Sequence, residues 1–474
     1  MRHWMHLLPV TGLLLLTACA GTPGAVSTAA SPEVADIDAV NGASAALPPE
    51  IDFRHVVRTA KDRVFPAVVF VKCIRESVEG GRKQSREVAG SGVIVSPTGE
   101  VVTNWHVVDK ATDIRCLLTD GRAMQARLVG TDKDTDLALL QLDVPAGVAL
   151  PHALLGETGG LEEGDFVMAM GAPWGLSRSV AIGIIACTRR YLPGSSEYSL
   201  WLQSDCAISP GNSGGPLVNT AGEVIGINSR GVLEGGDMAF AIPAETVRLI
   251  VDSLRAHGHV DWTWFGLQLQ PLRDFNRDTY FDGDDGVLVA GTDPESPARR
   301  AGLQPRDRIV RVNGASTTAL TEEDLPDVRR GLGRLPKDAP VVFDVLRGDE
   351  PLQFAVTPRA KGRVEGEEYE CRRWDMSVKT INQFDNPSLH YYRAEGVFIY
   401  GVKYPGNAYN ARLSTSDILL RIGEHEVRTL DDVRARHEAA LANIAADHRV
   451  VLTVLRNGLE RQVVLDFSRD YQRE

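Results

Sequence analysis

Between Gly286 and Arg421 the chain repeats itself at a fixed offset. Gly286-Val287, Ala298, Ala301, Leu303, Asp307 and Arg311 recur as Gly396-Val397, Ala408, Ala411, Leu413, Asp417 and Arg421, every pair 110 positions apart. A one-residue slip then aligns Val345-Leu346-Arg347 with Val454-Leu455-Arg456. A period of this length, present twice, specifies tandem copies of one small α+β domain rather than a solenoid. The expected bounds are 260–358 and 374–469, joined by a charged, Gly-containing linker over 359–373. The chain has 474 residues, and a single core stops growing at roughly 250–300 residues, so at least one further domain must precede the repeats. Its 43% hydrophobic and 24% charged residues describe globular protein. A formal charge of -12, with no long basic run, argues against a nucleic-acid partner.

Residues 1–18 carry basic Arg2, an apolar stretch from Gly12 to Leu16, and then Leu16-Thr17-Ala18-Cys19. Charged, greasy, small is the layout of a secretory signal. The small residues before Cys19 resemble the lipobox of bacterial lipoproteins, in which that cysteine becomes the acylated new N-terminus. A cleaved signal with a chance cysteine is the alternative. Either reading exports the protein, and the first anchors it by lipid at the periplasmic face of a membrane. Residues 19–50, rich in Ala, Gly, Pro and Ser, read as a flexible tether with an end-to-end distance on the order of 30 Å. No later stretch reaches the roughly 18 uninterrupted apolar residues that a helical span needs.

Over 51–258 the texture changes to short β-branched runs punctuated by Gly, Asn and Pro. Ala67–Val71, Gly92–Val95, Val101–Thr103, Leu137–Leu142 and Glu223–Asn228 are the clearest. That pattern belongs to antiparallel barrels or sandwiches. A helix is expected over Ala244–Ala256, with Val247, Leu249, Ile250, Val251 and Leu254 apolar.

Gly211-Asn212-Ser213-Gly214-Gly215-Pro216 carries the most chemical information. A serine hydroxyl attacks a carbonyl only when a base takes its proton and backbone amides meet the developing oxyanion. Glycines flanking Ser213 permit a tight turn that aims the amides of Gly211 and Ser213 at one point. Upstream, Thr103-Asn104-Trp105-His106-Val107-Val108 sets a histidine at the end of a β-branched run, and Asp136 precedes the apolar run Leu137-Ala138-Leu139-Leu140. A carboxylate there can fix the imidazole tautomer and stabilise the imidazolium. The order His106, Asp136, Ser213, with gaps of 30 and 77, is that of the chymotrypsin-type double barrel.

With these motifs the chain resembles the HtrA/Deg family of serine proteases bearing PDZ domains. Ser91-Gly92-Val93-Ile94-Val95, Thr135-Asp136-Leu137-Ala138-Leu139, Gly171-Ala172-Pro173-Trp174-Gly175 and Ala239-Phe240-Ala241-Ile242-Pro243 fall in family order. The resemblance implies a mostly β fold, a chymotrypsin-like double β-barrel followed by two small α+β PDZ domains. It implies an exported serine endopeptidase acting on misfolded or regulatory envelope proteins, without a cofactor or metal, as a homotrimer packed through Phe53, Val56 and Val57. Trp105 departs from the family, which usually has asparagine there. The short link between Cys73 and Gly90 departs from members that form large cages. Ala207, six residues before Ser213, with Ile208 and Ile227, forms an expected uncharged specificity pocket for small aliphatic side chains, unless these residues simply pack the barrel. Phe265, Gly266 and Leu267 resemble the loop of a PDZ domain that captures a peptide carboxylate. The equivalent stretch of the second repeat, Trp374-Asp375-Met376-Ser377-Val378, lacks the glycine. A competing function is a chaperone or peptide-binding scaffold whose protease domain rests inactive. An esterase is disfavoured because no GxSxG elbow is present.

Two smaller features complete the reading. Once lipid consumes Cys19, five cysteines remain; Cys73 with Cys116 and Cys187 with Cys206 are conceivable disulfides, against five small buried hydrophobes. Asp274, Asn276, Asp278, Asp282 and Asp285 imitate a calcium loop, but Thr279 stands where that loop needs Gly and Asp285 where it needs Glu. A solvated acidic loop is the better reading.

Overall fold

The computed structural model of the protein describes residues 52–172, 178–232, 238–274 and 278–471. The signal, the tether, Cys19, Pro173-Trp174-Gly175 and Asn276 lie outside the described residues.

Helix α1 (Phe53–Val64) leads into a first closed barrel. Its strands are β1 (Val68–Ser77), β2 (Gln84–Ile94), β3 (Glu100–Thr103), β4 (Ala111–Leu117), β5 (Ala123–Asp132) and β6 (Leu137–Leu142), in the order β1-β2-β3-β6-β5-β4. Helix α2 (Trp105–Val108) is a single turn after β3. A second closed barrel takes β7 (Phe166–Gly171), β8 (Ser179–Arg190), β9 (Trp201–Ser204), β10 (Pro216–Asn219), β11 (Val224–Val232) and β12 (Met238–Pro243), ordered β10-β11-β12-β9-β8-β7. The expected strands fall in β1, β2, β3, β6 and β11. In β6, Leu137, Ala138, Leu139 and Leu140 are all fully buried, a run too apolar for a strand with one wet face. The predicted helix is α3 (Ala244–His257); it packs Val247, Ile250 and Leu254 inward and ends at Gly258, whose amide donates to the Leu254 carbonyl at 2.8 Å.

The repeats fold as two α+β units of one topology. The first has β13 (Thr263–Trp264), β14 (Leu267–Gln270), the hairpin β15 (Arg273–Asp274) and β16 (Thr279–Tyr280), β17 (Val287–Thr292), α4 (Pro297–Ala301), β18 (Arg308–Val312), β19 (Ala315–Ser316), α5 (Leu325–Gly333), β20 (Val341–Arg347) and β21 (Glu350–Val356). Its sheet runs β14-β17-β18-β20-β21. The segment expected as a plain linker contains strands of its own: β22 (Arg359–Ala360) pairs with β13, and β23 (Glu368–Cys371) joins the second unit. That unit continues with β24 (Met376–Thr380), α6 (Pro387–Tyr392), β25 (Val397–Val402), α7 (Asn407–Asn410), β26 (Ile418–Ile422), β27 (His425–Glu426), α8 (Leu430–Ala442), β28 (Arg449–Arg456) and β29 (Leu459–Asp466). Its sheet order β24-β25-β26-β28-β29 repeats the first, with β23 added outside β24. The repeated Asp and Arg explain part of the sequence identity. Arg347 pairs with buried Asp307 at 2.8 Å, and Arg456 with buried Asp417 at 2.5 Å, so each copy closes its fold with the same charge-assisted bond.

All five described cysteines are free thiols. Burial pushes Cys73 and Cys116 up to about 12, so both are inert small hydrophobes. In the acidic hairpin region, Arg273 pairs with Asp284 and Arg308 with Asp285, each at 2.7–2.8 Å.

Candidate active site

The site lies where the two barrels meet. Asp136 immediately precedes β6 in a left-handed conformation, φ 57°, unusual for a residue other than glycine. Its carbonyl accepts from the Trp105 amide at 3.1 Å and from Asn104 Nδ2 at 3.0 Å. These bonds hold the strained residue in place. Its buried carboxylate accepts from the His106 amide at 3.1 Å and lies 2.9 Å from His106 Nδ1 through both oxygens. The Ser229 hydroxyl donates to Asp136 Oδ2 at 2.5 Å. Arg75 fixes the turn that carries the imidazole, donating to the carbonyls of His106 and Asp109. His106 keeps 41% of its side chain exposed, on the cleft side.

Ser213 does not bond to His106 here. Its hydroxyl donates to the Ser229 carbonyl at 3.1 Å, so Ser229 bridges serine and aspartate through two different atoms. An unliganded serine rotor takes the nearest acceptor, and catalytic bonds commonly tighten only when substrate arrives.

Ser91, fully buried, organises the loop around Ser213. Its amide donates to the Ser213 carbonyl at 2.7 Å, its hydroxyl donates to the Gly211 carbonyl at 2.6 Å and accepts from the Ala172 amide at 2.8 Å, and its carbonyl accepts from Thr103 Oγ1 at 2.7 Å. Gly214 has φ 85°, and a β-carbon there would sit 2.1 Å from the Ser91 carbonyl oxygen, so only glycine fits. Among the described residues the amides of Gly211 and Ser213 have no acceptor, which leaves two donors for a developing oxyanion. Sequence reading missed Ser91 and Ser229 as site residues. The one local signal for Ser91 is a polar residue in an otherwise apolar strand end.

The expected pocket needs one correction. Ile227 is fully buried in the core with Val218 and Ile242, taking the packing alternative. The residue facing Ile208 is Gly231, whose added β-carbon would lie 3.5 Å from Ile208 Cβ. Ala207 is exposed and Ile208 half-buried. Trp105 carries Lys133 Nζ 5.0 Å from its ring centroid.

Asp132, four residues before Asp136, is buried. It accepts from Thr135 N at 3.2 Å, Thr135 Oγ1 at 2.6 Å and Trp262 Nε1 at 3.1 Å. Burial, then the nearby Asp134 charge, raise it from 3.8 to about 6. The native state therefore holds this proton to higher pH than the unfolded chain. Its contribution is fully present below the unfolded value and is lost as pH rises through the folded one. Urea unfolding should show wild type losing on the order of 3 kcal/mol relative to Asp132→Asn between about pH 4 and 6. Parallel pH curves for the two proteins would refute this.

A second site lies in the first α+β unit. A cavity of about 370 Å³ is lined by Trp264, Phe265, Gly266 and Leu267 on one side and by Arg329 and Leu332 on the other. Gly266 has φ 70°, and a β-carbon there would meet Ser296 Cβ at 2.2 Å. The Phe265 and Gly266 amides have no acceptor among the described residues, and β14 is the edge of its sheet. An extended peptide could add there with its carboxylate on those amides. In the second unit that place is filled. β23 pairs antiparallel with β24 from Glu368↔Lys379 to Cys371↔Met376, and Tyr369 Oη lies 2.9 Å from His437 Nδ1 of α8.

Residues 90–227 match a trypsin-like peptidase domain, and 288–347 match a PDZ domain. A probable periplasmic serine endoprotease DegP-like from Halomonas elongata is 35% identical over 396 residues, covering 81% of this chain and 80% of the relative. One of the same description from Hahella chejuensis is 31% identical over 410 residues, covering 81% of each chain. The solved structure of the HtrA-type protease AlgW with tripeptide is 32% identical with a TM-score of 0.57, over 65% of this chain and 97% of that one.

Proposed function

The chain belongs to the HtrA/Deg family of serine endoproteases, and on that premise we propose that Ser213, His106 and Asp136 form its catalytic triad. Ser213 Oγ attacks the scissile carbonyl after turning from Ser229 to His106. His106 Nε2 takes the proton and returns it to the leaving amine, Asp136 holds Nδ1–H toward itself, and the amides of Gly211 and Ser213 receive the oxyanion. The observation that carries this reading is the continuous path of bonds from Ser213 through Ser229 and Asp136 to His106. The protein acts in the periplasm on protein substrates, and we assign it misfolded or regulatory envelope proteins, with Cys19 as a lipid anchor. The exposed Phe53, tilted against exposed Phe166 with ring centroids 4.7 Å apart, fits a trimer contact. The PDZ groove around Gly266 fits a C-terminal peptide. The second α+β unit is PDZ-like with its groove self-occupied. The scaffold alternative is not favoured, since the relatives are named endoproteases.

The test is the fragment pattern from denatured casein. Internal cuts after Val, Ala and other small aliphatic residues are expected, because Ala207, Ile208 and the Gly231 that meets Ile208 carry no charge. Cuts dominated by basic residues would overturn the pocket, and trimming from the ends alone would overturn endoproteolysis.

A further inference from the structure

The segment joining the two α+β units does more than connect them. Lys361 leaves β22 with its amide donating to the Trp262 carbonyl at 2.7 Å. Its side chain is 8% exposed, and Nζ lies 2.8 Å from Asp134 Oδ2. Nζ also donates to Tyr198 Oη at 3.3 Å and sits 5.3 Å from the Phe384 ring centroid. Asp134 is two residues from Asp136, inside the turn that presents it. The same turn is held at Asp132 by Trp262, whose ring stacks on Tyr198 at 3.9 Å. Lys361 and Tyr198 also line the cavity beside Phe265 and Gly266. Further along, Glu365 pairs with Lys133, and Glu368 with Lys110 at 2.5 Å. Three linker charges thus grip the catalytic barrel around His106 and Asp136.

We propose that Lys361 is a positioning residue for the reaction: its amine holds Asp134, and through it the turn bearing Asp136, while forming part of the wall of the peptide groove. The proposal rests on the triad reading above. A buried amine shared by a groove and a catalytic turn transmits occupancy of one to the geometry of the other, because a peptide carboxylate entering the groove competes with Asp134 for that charge. Misplacement of a catalytic turn lowers kcat without weakening substrate contacts.

The experiment measures kcat and KM on an internally quenched peptide with valine before the cut, using the full chain. Lys361→Met is expected to lower kcat about tenfold with KM within about twofold, as for an interaction felt only in the transition state. Lys361→Arg should recover most of the loss, and the exchange Asp134→Lys with Lys361→Asp should exceed either single change. A free-acid decapeptide ending in valine should change wild-type kcat more than it changes that of Lys361→Met; its amidated form should do neither. Wild-type kcat in Lys361→Met overturns the proposal, as does equal loss in all variants with a matching fall in Tm. A wild type as inactive as Ser213→Ala would instead strike the triad reading on which the proposal rests.

Discussion

Ser213→Ala is expected to fold normally and to lose kcat/KM for peptide cleavage by about a million-fold, the scale on which removing a triad nucleophile acts. The hydroxyl lost makes one neutral bond, to the Ser229 carbonyl, worth about 1 kcal/mol. Its neighbours Gly214 and Gly215 keep their backbone bonds to Asn228 and Asn212. The loop and its free amides therefore survive, and only the attacking atom disappears. Casein assays with matched thermal melts check this. A variant retaining more than about a thousandth of wild-type activity would mean that another nucleophile works in the cleft.

Asp136→Asn tests the orienting carboxylate, with an expected loss in kcat of about ten thousand-fold and little change in KM. The replacement is nearly isosteric, and the backbone carbonyl at this position would still accept from Trp105 and Asn104. The new side chain would present an amide donor where the carboxylate accepts from His106 Nδ1, the His106 amide and Ser229 Oγ. The imidazole would then carry its proton on Nε2, facing Ser213, and could not act as base. Steady-state kinetics across pH 6 to about 9 should show the loss shrinking only where hydroxide competes. Wild-type kcat in this variant would remove Asp136 from the mechanism.

Much of this architecture is legible in the chain itself, and the remainder is hidden for identifiable reasons. The run Leu137–Leu142 announces a strand buried on both faces, and Asp136 stands at its mouth because a carboxylate there can be held by backbone donors. The 110-residue offset reads directly as two units of one strand order. Ser91 and Ser229 escape because each acts on partners that only barrel closure brings near; Ser91 meets Ala172 and Gly211 from 81 and 120 residues away. Ile227 is misread because a strand's two faces look alike until its register is known. Opposite Pro216 and Ile242 it turns inward, and the bulge between Asn228 and Arg230 leaves Gly231 beside Ile208. The linker looks like solvated charge because its counter-ions, Asp134, Lys133 and Lys110, lie 227, 232 and 258 positions upstream of their partners. The pairing of β23 with β24 is equally invisible, since nothing in Glu368–Cys371 distinguishes a tether from a strand filling its own groove.

The most direct measurement is reaction of the purified protein with a fluorophosphonate, followed by peptide mass mapping. An alcohol oxygen activated by a neighbouring imidazole should be phosphonylated once, within the tryptic peptide that contains Ser213, and His106→Ala should abolish the adduct. A folded protein that takes no label, or takes it on a serine outside that cleft, would contradict the convergence of Ser213, His106 and Asp136 on one reacting centre.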